Sequence, residues 1–356
     1  MHTLQFFGND GQAARDVPLA QLSELLKQGH GTVWLDISEM DDDEAHLLQS
    51  EFHFHPLALE DLTQPNQRPK VVEYDGYVFV IAHEWQPAPD RADLAQPCVC
   101  RSTEIHVFAG RNYLVSVHND ASEALQTARK RWETASDLRN QGPYFLLYLL
   151  LDSLVDDYYP VLDAYDERID TLEQMVLKPV DEQEKLFKKT NAPADNPQKP
   201  LTVLLGLRRD LLEMRRYVAP LRDAVNVLLR HVEGVRQDDR AEDARRSRAR
   251  ALFAYYQDIY DHTIRVVDTI DTYRDLLSGT LDAHLAVASN RLNEVVKVLT
   301  SVSIILMTIA GISGIYGMNF TNMPELHWRH GYPYALTLMG GLSALEWLYF
   351  KNRNWL

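Results

Sequence analysis

At 356 residues, 46% hydrophobic and 24% charged, the chain is long enough for one large or two ordinary globular domains, which excludes disorder as a description of the whole. With 36 Lys and Arg against 51 Asp and Glu its formal charge is −15, which repels nucleic acid and favours cations as partners. Its two cysteines, Cys98 and Cys100, supply neither a disulfide framework nor the second half of a zinc site, and read as ordinary residues of a reduced strand.

The segment Met1 to Asp16 has no basic stretch followed by an apolar one, so no signal peptide is expected. Residues 1–140 read as a cytosolic α/β domain. Strand-like runs occur at Thr32 to Ile37, Tyr77 to Ile81, Glu104 to Phe108 and Tyr113 to Val117, the last two joined by a hairpin signal at Ala109 to Asn112. Leu19 to Gln28 and Asp42 to Glu51 carry helical spacing, so a sheet covered by helices is predicted. From Pro143 strand signals vanish. Residues 141–243 read as long, charged helices, interrupted by the prolines between Asn191 and Pro200 and by a weak break at Gly234 to Asp239.

From Ala244 to Tyr316 nothing forces a helix to end, and about 70 residues at 1.5 Å each would reach roughly 105 Å. This predicts a stalk over 244–297 that continues into an uncharged span over 298–320, long enough to cross a bilayer. An outer loop over 321–331, a second span over 332–350 broken only by Glu346, and a basic tail over 351–356 follow. Arg291 and Lys297 before the first span and Lys351 and Arg353 after the second place both termini in the cytoplasm. The bland alternative is a buried helical hairpin of a soluble protein.

Asn293, Val296, Thr300, Ser303, Met307, Ala310 and Gly314 recur at three- and four-residue steps as one heptad seam, polar or small, flanked by Val298, Ile305, Leu306, Ile309 and Ile312. Two readings stay open for such a stripe: helix packing through small residues, or the lining of a pore. In the same register upstream stand Asp261, Asp268, Asp275 and Asp282, seven residues apart. On an isolated helix they would be a solvated acidic face. In a symmetric bundle each becomes a carboxylate ring that concentrates cations at a channel mouth, which makes Asp282 a candidate metal ligand.

At the outer end, Gly314 to Phe320 (GIYGMNF) is followed by Met323 to Pro333 (MPELHWRHGYP). This segment resembles the CorA family of magnesium and cobalt channels, whose signature is Gly-Met-Asn at the end of the first transmembrane helix. Similarity extends through Asn293 to Leu299, Tyr260 to Thr263, Val155 to Tyr159 and His55 to Asp61, and so covers most of the chain. The resemblance implies an α+β subunit: a cytosolic α/β/α domain, a long helical stalk and two C-terminal transmembrane helices. Such subunits would assemble as a funnel-shaped homopentamer in a bacterial inner membrane.

It also implies roles for particular residues. Gly317, Met318 and Asn319 would form the outer selectivity filter, where carbonyls and carboxamides hold the waters of a hydrated Mg²⁺, an ion that dehydrates reluctantly. Asn293 would form an inner polar ring, with Val296, Leu299 and Met307 as apolar constrictions. Mg²⁺ would be both cargo and regulator, with Co²⁺ or Ni²⁺ as alternative cargo. The regulatory ion, bridging neighbouring cytosolic domains in the closed state, would take Asp258 as one ligand. Its partner is sought after the Tyr77 strand, where Asp90 and Glu84 are candidates, although Gln86 to Pro97 departs from the family's pattern.

Rival readings are a zinc transporter of the same superfamily and a membrane-anchored scaffold or signalling protein. No nucleophile–base pair or phosphate-binding glycine loop points to an enzyme. Glu346 is expected to snorkel towards the cytosolic surface beside Lys351. The pairs His53/His55 and His327/His330 lack further ligands for a transition metal.

Overall fold

The computed structural model describes residues 2–8, 13–29, 31–87, 100–134, 141–177, 199–237, 243–320 and 323–356. It divides into two units, Met1–Gly279 and Thr280–Leu356.

The first unit is built on seven strands: β1 (His2–Gly8), β2 (Ala13–Ala14), β3 (Gly31–Ser38), β4 (Lys70–Tyr74), β5 (Tyr77–Pro87), β6 (Cys100–Gly110) and β7 (Tyr113–His118). Their spatial order is β2-β1-β3-β7-β6-β5-β4, and β3 with β7 is the one parallel pair. The four strands expected from sequence are present, with β5 and β6 longer than their apolar runs. The hairpin at Ala109 to Asn112 joins β6 to β7 as anticipated. Between β4 and β5 the chain turns at Asp75-Gly76, where a φ of 89° suits glycine.

One sheet face is covered by α1 (Leu22–Gln28), α2 (Asp42–Phe52) and α3 (Pro56–Thr63). Leu4, Leu35, Ile37, Phe79, Ile81, Phe108 and Val115 pack there against Leu22, Leu48, Phe52 and Ala58. Two of these helices, α2 and α3, start on recognisable side-chain caps. Asp41 accepts from the Glu44 N–H at 2.8 Å while Glu44 accepts from the Asp41 N–H at 3.2 Å, and His55 caps α3 ahead of Pro56. His53, at a φ of 55°, ends α2, so the His53/His55 pair serves backbone geometry.

The opposite face meets α4 (Glu123–Thr134), α5 (Pro143–Asp156) and α6 (Tyr158–Leu177). Twelve of the fourteen residues of α5 are buried, as its unbroken apolar run requires. A turn at Asp157, ahead of Pro160, separates α5 from α6. α7 (Lys199–Gln237) and the first part of α8 (Asp243–Tyr316) complete this unit, tied by Arg215 to Asp271 at 2.7 Å and by Tyr256 to the Tyr144 carbonyl at 2.8 Å. The break expected over Gly234 to Asp239 does not begin at Gly234, and Asp238 and Asp239 lie outside the described residues. α7 runs through Gly234 to Gln237, because a single glycine weakens a packed helix without ending it. Residues 191–198 of the expected proline-rich interruption, and Cys98, lie outside the described residues.

The second unit holds the remainder of α8, a short 3-10 turn at Pro324–His327, and α9 (Gly331–Asn352). No helix end falls between Asp243 and Tyr316, as the absence of breakers predicts. Among the described residues α8 is the one helix whose length and composition suffice to cross a membrane; α9, with Glu346 near its end, falls outside that criterion. At Gly331 the backbone turns so tightly over the 3-10 segment that a Cβ would clash with the Glu325 carbonyl oxygen.

Candidate ion pathway and metal-ligand groups

Within the second unit, one stripe of α8 faces α9. Ser301 is buried, Ile305, Thr308 and Ile312 are half-buried, and Ser313 Oγ approaches Met339 Sδ at 3.5 Å. At about 100° per residue, the seam of Val296, Thr300, Ser303, Met307, Ala310 and Gly314 lies on roughly the opposite side of the helix. Every one of these residues is exposed, as are Asn293 and Leu299, with Met307 72% exposed. Only 6% of the most apolar stretch of α8 is buried, whereas the soluble-hairpin alternative expects a buried helix.

Upstream, in the first unit, the same helix buries Leu252, Tyr256, Ile259, Thr263, Val266 and Ile270, and leaves Asp261, Asp268 and Asp275 exposed on the far side. Asp282, in the second unit, is exposed as well. The acidic series and the polar seam therefore share one property: each is turned away from the surface its own unit covers.

α8 ends where the Gly317 N–H donates to Ser313 O at 2.9 Å and Gly314 O at 3.2 Å, and the Met318 N–H to Ile315 O at 3.3 Å. A Cβ at Gly317 would lie 3.2 Å from Ser313 O, which favours glycine at this tight close. Asn319 follows, exposed, just past the last helical turn. His327 sits in the 3-10 turn and His330 at the start of α9, and neither joins a group of potential metal ligands among the described residues.

Asp258 projects from α8 with its side chain half exposed, and His262, one turn on, lies 3.7 Å away. Asp152 of α5 completes a group of three whose ligand atoms all lie within 4.8 Å of one another. Two carboxylates suit Mg²⁺, whereas the imidazole adds affinity for Co²⁺, Ni²⁺ or Zn²⁺. Arg131 also holds Asp152, at 2.7 Å, so an ion there would compete with an existing counter-ion. The negative field reaches the neighbours: burial and then the Asp152 charge raise the Asp156 carboxyl, and the same causes push Tyr148 up to about 12. Asp152 carried no signal in sequence, because only the packing of α5 on α8 brings it here.

Of the two partners sought for Asp258, Asp90 lies outside the described residues. Glu84 is wholly buried, and its Oε1 accepts from the Glu123 and Ala124 N–H groups at 2.9 and 3.1 Å. It is thus engaged with the start of α4, where the helix dipole favours a carboxylate. Glu346 also departs from expectation. Instead of extending past Lys351, it accepts a hydrogen bond from Thr308 Oγ1 at 2.7 Å, while Lys351 Nζ lies 4.7 Å above the Trp347 ring. Nearly two turns from the end of α9, this carboxyl takes its hydrogen bond from a hydroxyl on the adjacent helix.

Residues 29–352 match the model of a family described as CorA-like Mg²⁺ transporter protein. A cobalt/magnesium transport protein CorA of Thermotoga maritima is 34% identical over 86% of this chain and 78% of that protein. A putative metal ion transporter, YfjQ, of Bacillus subtilis is 32% identical over 90% of this chain and 89% of that protein. The complete structure of the CorA magnesium transporter from Methanocaldococcus jannaschii shares the fold, with a TM-score of 0.74 at 20% identity over 100% of this chain and 99% of that one.

Proposed function

The chain belongs to the CorA-like Mg²⁺ transporter family, and on that premise we propose that it is one subunit of a channel that conducts Mg²⁺, with Co²⁺ and Ni²⁺ as further cargo, into a bacterial cell. Five copies would surround a pore lined by α8, with α9 as the second membrane-crossing helix and both termini in the cytoplasm. The observation that carries this reading is the seam from Asn293 to Gly314: bare, polar or small, turned away from α9, and ending at Gly317-Met318-Asn319. A membrane anchor needs no such stripe.

In this arrangement five Asn319 carboxamides hold the water shell of an incoming ion without stripping it, and the backbone of Gly317 and Met318 shapes the ring. Asn293 repeats the polar ring at the inner end. Val296, Leu299 and Met307 close the pore by dewetting, and the carboxylates of Asp261, Asp268, Asp275 and Asp282 draw cations along the inner helix. An inside-negative potential supplies about 2.3 kcal/mol per charge per 100 mV, so no nucleotide is needed.

Internal Mg²⁺ acts as the brake. Asp258, with Asp90 of an adjacent subunit as its expected partner, binds the ion in the closed state, so rising Mg²⁺ shifts the population towards closure. Mg²⁺ influx into proteoliposomes under an imposed potential tests the whole reading. Potential-driven influx is expected from the wild-type protein and not from Asn319→Ala, which assembles normally. Influx of Zn²⁺ alone would move the protein to a zinc branch, and influx of no divalent ion would leave an anchored scaffold.

A further inference from the structure

Glu346 is the one acidic residue of α9, set among Leu342, Leu345, Trp347 and Leu348. An ionisable group in such a segment is costly in a bilayer and is retained for a reason. Thr308 Oγ1 donates to its Oε1 at 2.7 Å. Two other hydroxyls of these helices satisfy themselves locally, Ser301 on Lys297 O and Thr337 on Pro333 O, each at 2.8 Å. Thr308 instead sends its single proton across to the neighbouring helix. Ser313 to Met339 Sδ is a second crossing, further along α8 and further back along α9, as antiparallel helices require.

We propose that Glu346 is a positioning residue for the pore helix: through Thr308 it sets the rotation of α8 about its own axis, and so the face that α8 turns to the ion. Apolar packing between helices tolerates rotation, whereas a hydrogen bond is directional. Thr308 directly follows Met307, and a shift of one residue turns a helix by about 100°, enough to carry the seam off the pore. The acceptor oxygen matters here, not a charge acting on the ion. The inference rests on the channel reading above.

The test compares Glu346→Leu, Glu346→Gln, Thr308→Val and the double variant Thr308→Val/Glu346→Leu in proteoliposomes, with Asn319→Ala as the filter control. Glu346→Leu and Thr308→Val should each lower maximal Mg²⁺ influx about threefold, in line with the modest strength of hydrogen bonds between membrane helices, while half-saturating Mg²⁺ stays unchanged. The double variant should lose no more than either single one, and Glu346→Gln, which keeps an acceptor for Thr308, should conduct as the wild type does. A loss in Glu346→Gln equal to that in Glu346→Leu would assign the effect to charge and overturn the proposal, as would losses that multiply in the double variant.

A readout independent of flux separates this inference from the channel reading. In a Cys98→Ser/Cys100→Ser background, the labelling rate of Met307→Cys by a water-soluble thiol reagent should change about threefold with Glu346→Leu or Thr308→Val, and not with Glu346→Gln. An unchanged rate in all variants refutes the positioning role even if the wild type conducts. A changed rate without wild-type influx would keep the positioning role and remove the channel.

Discussion

Within Met1–Gly279, α8 turns Leu252, Tyr256, Ile259, Val266, Ile270 and Leu277 inward; within Thr280–Leu356 the same helix leaves Leu292, Val295, Leu299, Leu306 and Met307 bare. The first unit is complete in itself. A sheet is covered on both faces, and Asp36 between them is matched: it receives Arg129 at 2.7 Å and Ser116 at 2.6 Å, with His118 at 3.4 Å. Burial raises the Asp36 carboxyl, but the His118 and Ser116 hydrogen bonds and the charges of His118 and Arg129 outweigh it and hold it below its ordinary value. The second unit leaves most of its apolar side chains exposed, and on the proposed reading lipid and further copies of the chain cover them. One helix is thus written for two environments, by a one-sided apolar stripe in its first part and apolar residues all round in its second.

The contrast is sharpest in stability. Phe79→Ala, deep in the sheet core, should cost about 4 kcal/mol in denaturant unfolding of the first unit, whereas Leu299→Ala should move it by less than about 0.5 kcal/mol. Equal costs would break the comparison.

A smaller effect tests the polar interior of the first unit. Burial, then the charges of Glu84, Glu123 and Asp156, raise the Asp157 carboxyl to about 7. Its folded value lies above the unfolded one, near 4, so the folded state holds the proton more tightly. That contribution is complete below about pH 4 and is lost as pH rises through about 7. The unit should therefore lose about 2 kcal/mol between pH 5 and pH 8, allowing for partial solvent screening, and Asp157→Asn should flatten this slope. An unchanged slope in the variant would place the titration elsewhere.

Smaller still is the effect expected of Asp258→Asn, which should raise the internal Mg²⁺ needed for half-inhibition of influx about fivefold while leaving maximal influx intact. His262→Ala separates two arrangements: it should weaken inhibition by Co²⁺ more than by Mg²⁺ if the group with Asp152 holds the ion, and leave both unaltered if Asp258 acts alone.

Much of this was legible in the sequence, for reasons that differ by element. β3, β5, β6 and β7 are runs of β-branched and aromatic residues that declare themselves by composition. β2 and β4 escaped notice because their short stretches, Ala13-Ala14 and Lys70 to Tyr74, gain strand character only by pairing at the two margins of the sheet, and β1 was missed with them. The heptad of the α8 seam could be counted directly, since periodicity is local. Asp152 beside Asp258, Glu84 on the start of α4, and Thr308 on Glu346 could not, because each joins residues far apart along the chain.

The unbroken course of α8, the polarity of its seam and the Gly-Met-Asn at its end follow from local sequence, because helix continuation, hydropathy and motif all depend on neighbours within a few turns. Tertiary structure alone decided which face of α8 stays bare in each unit, that Glu84 is spent on a helix start, and that Glu346 faces Thr308 instead of water. Those outcomes depend on the register between elements, and register is set by packing.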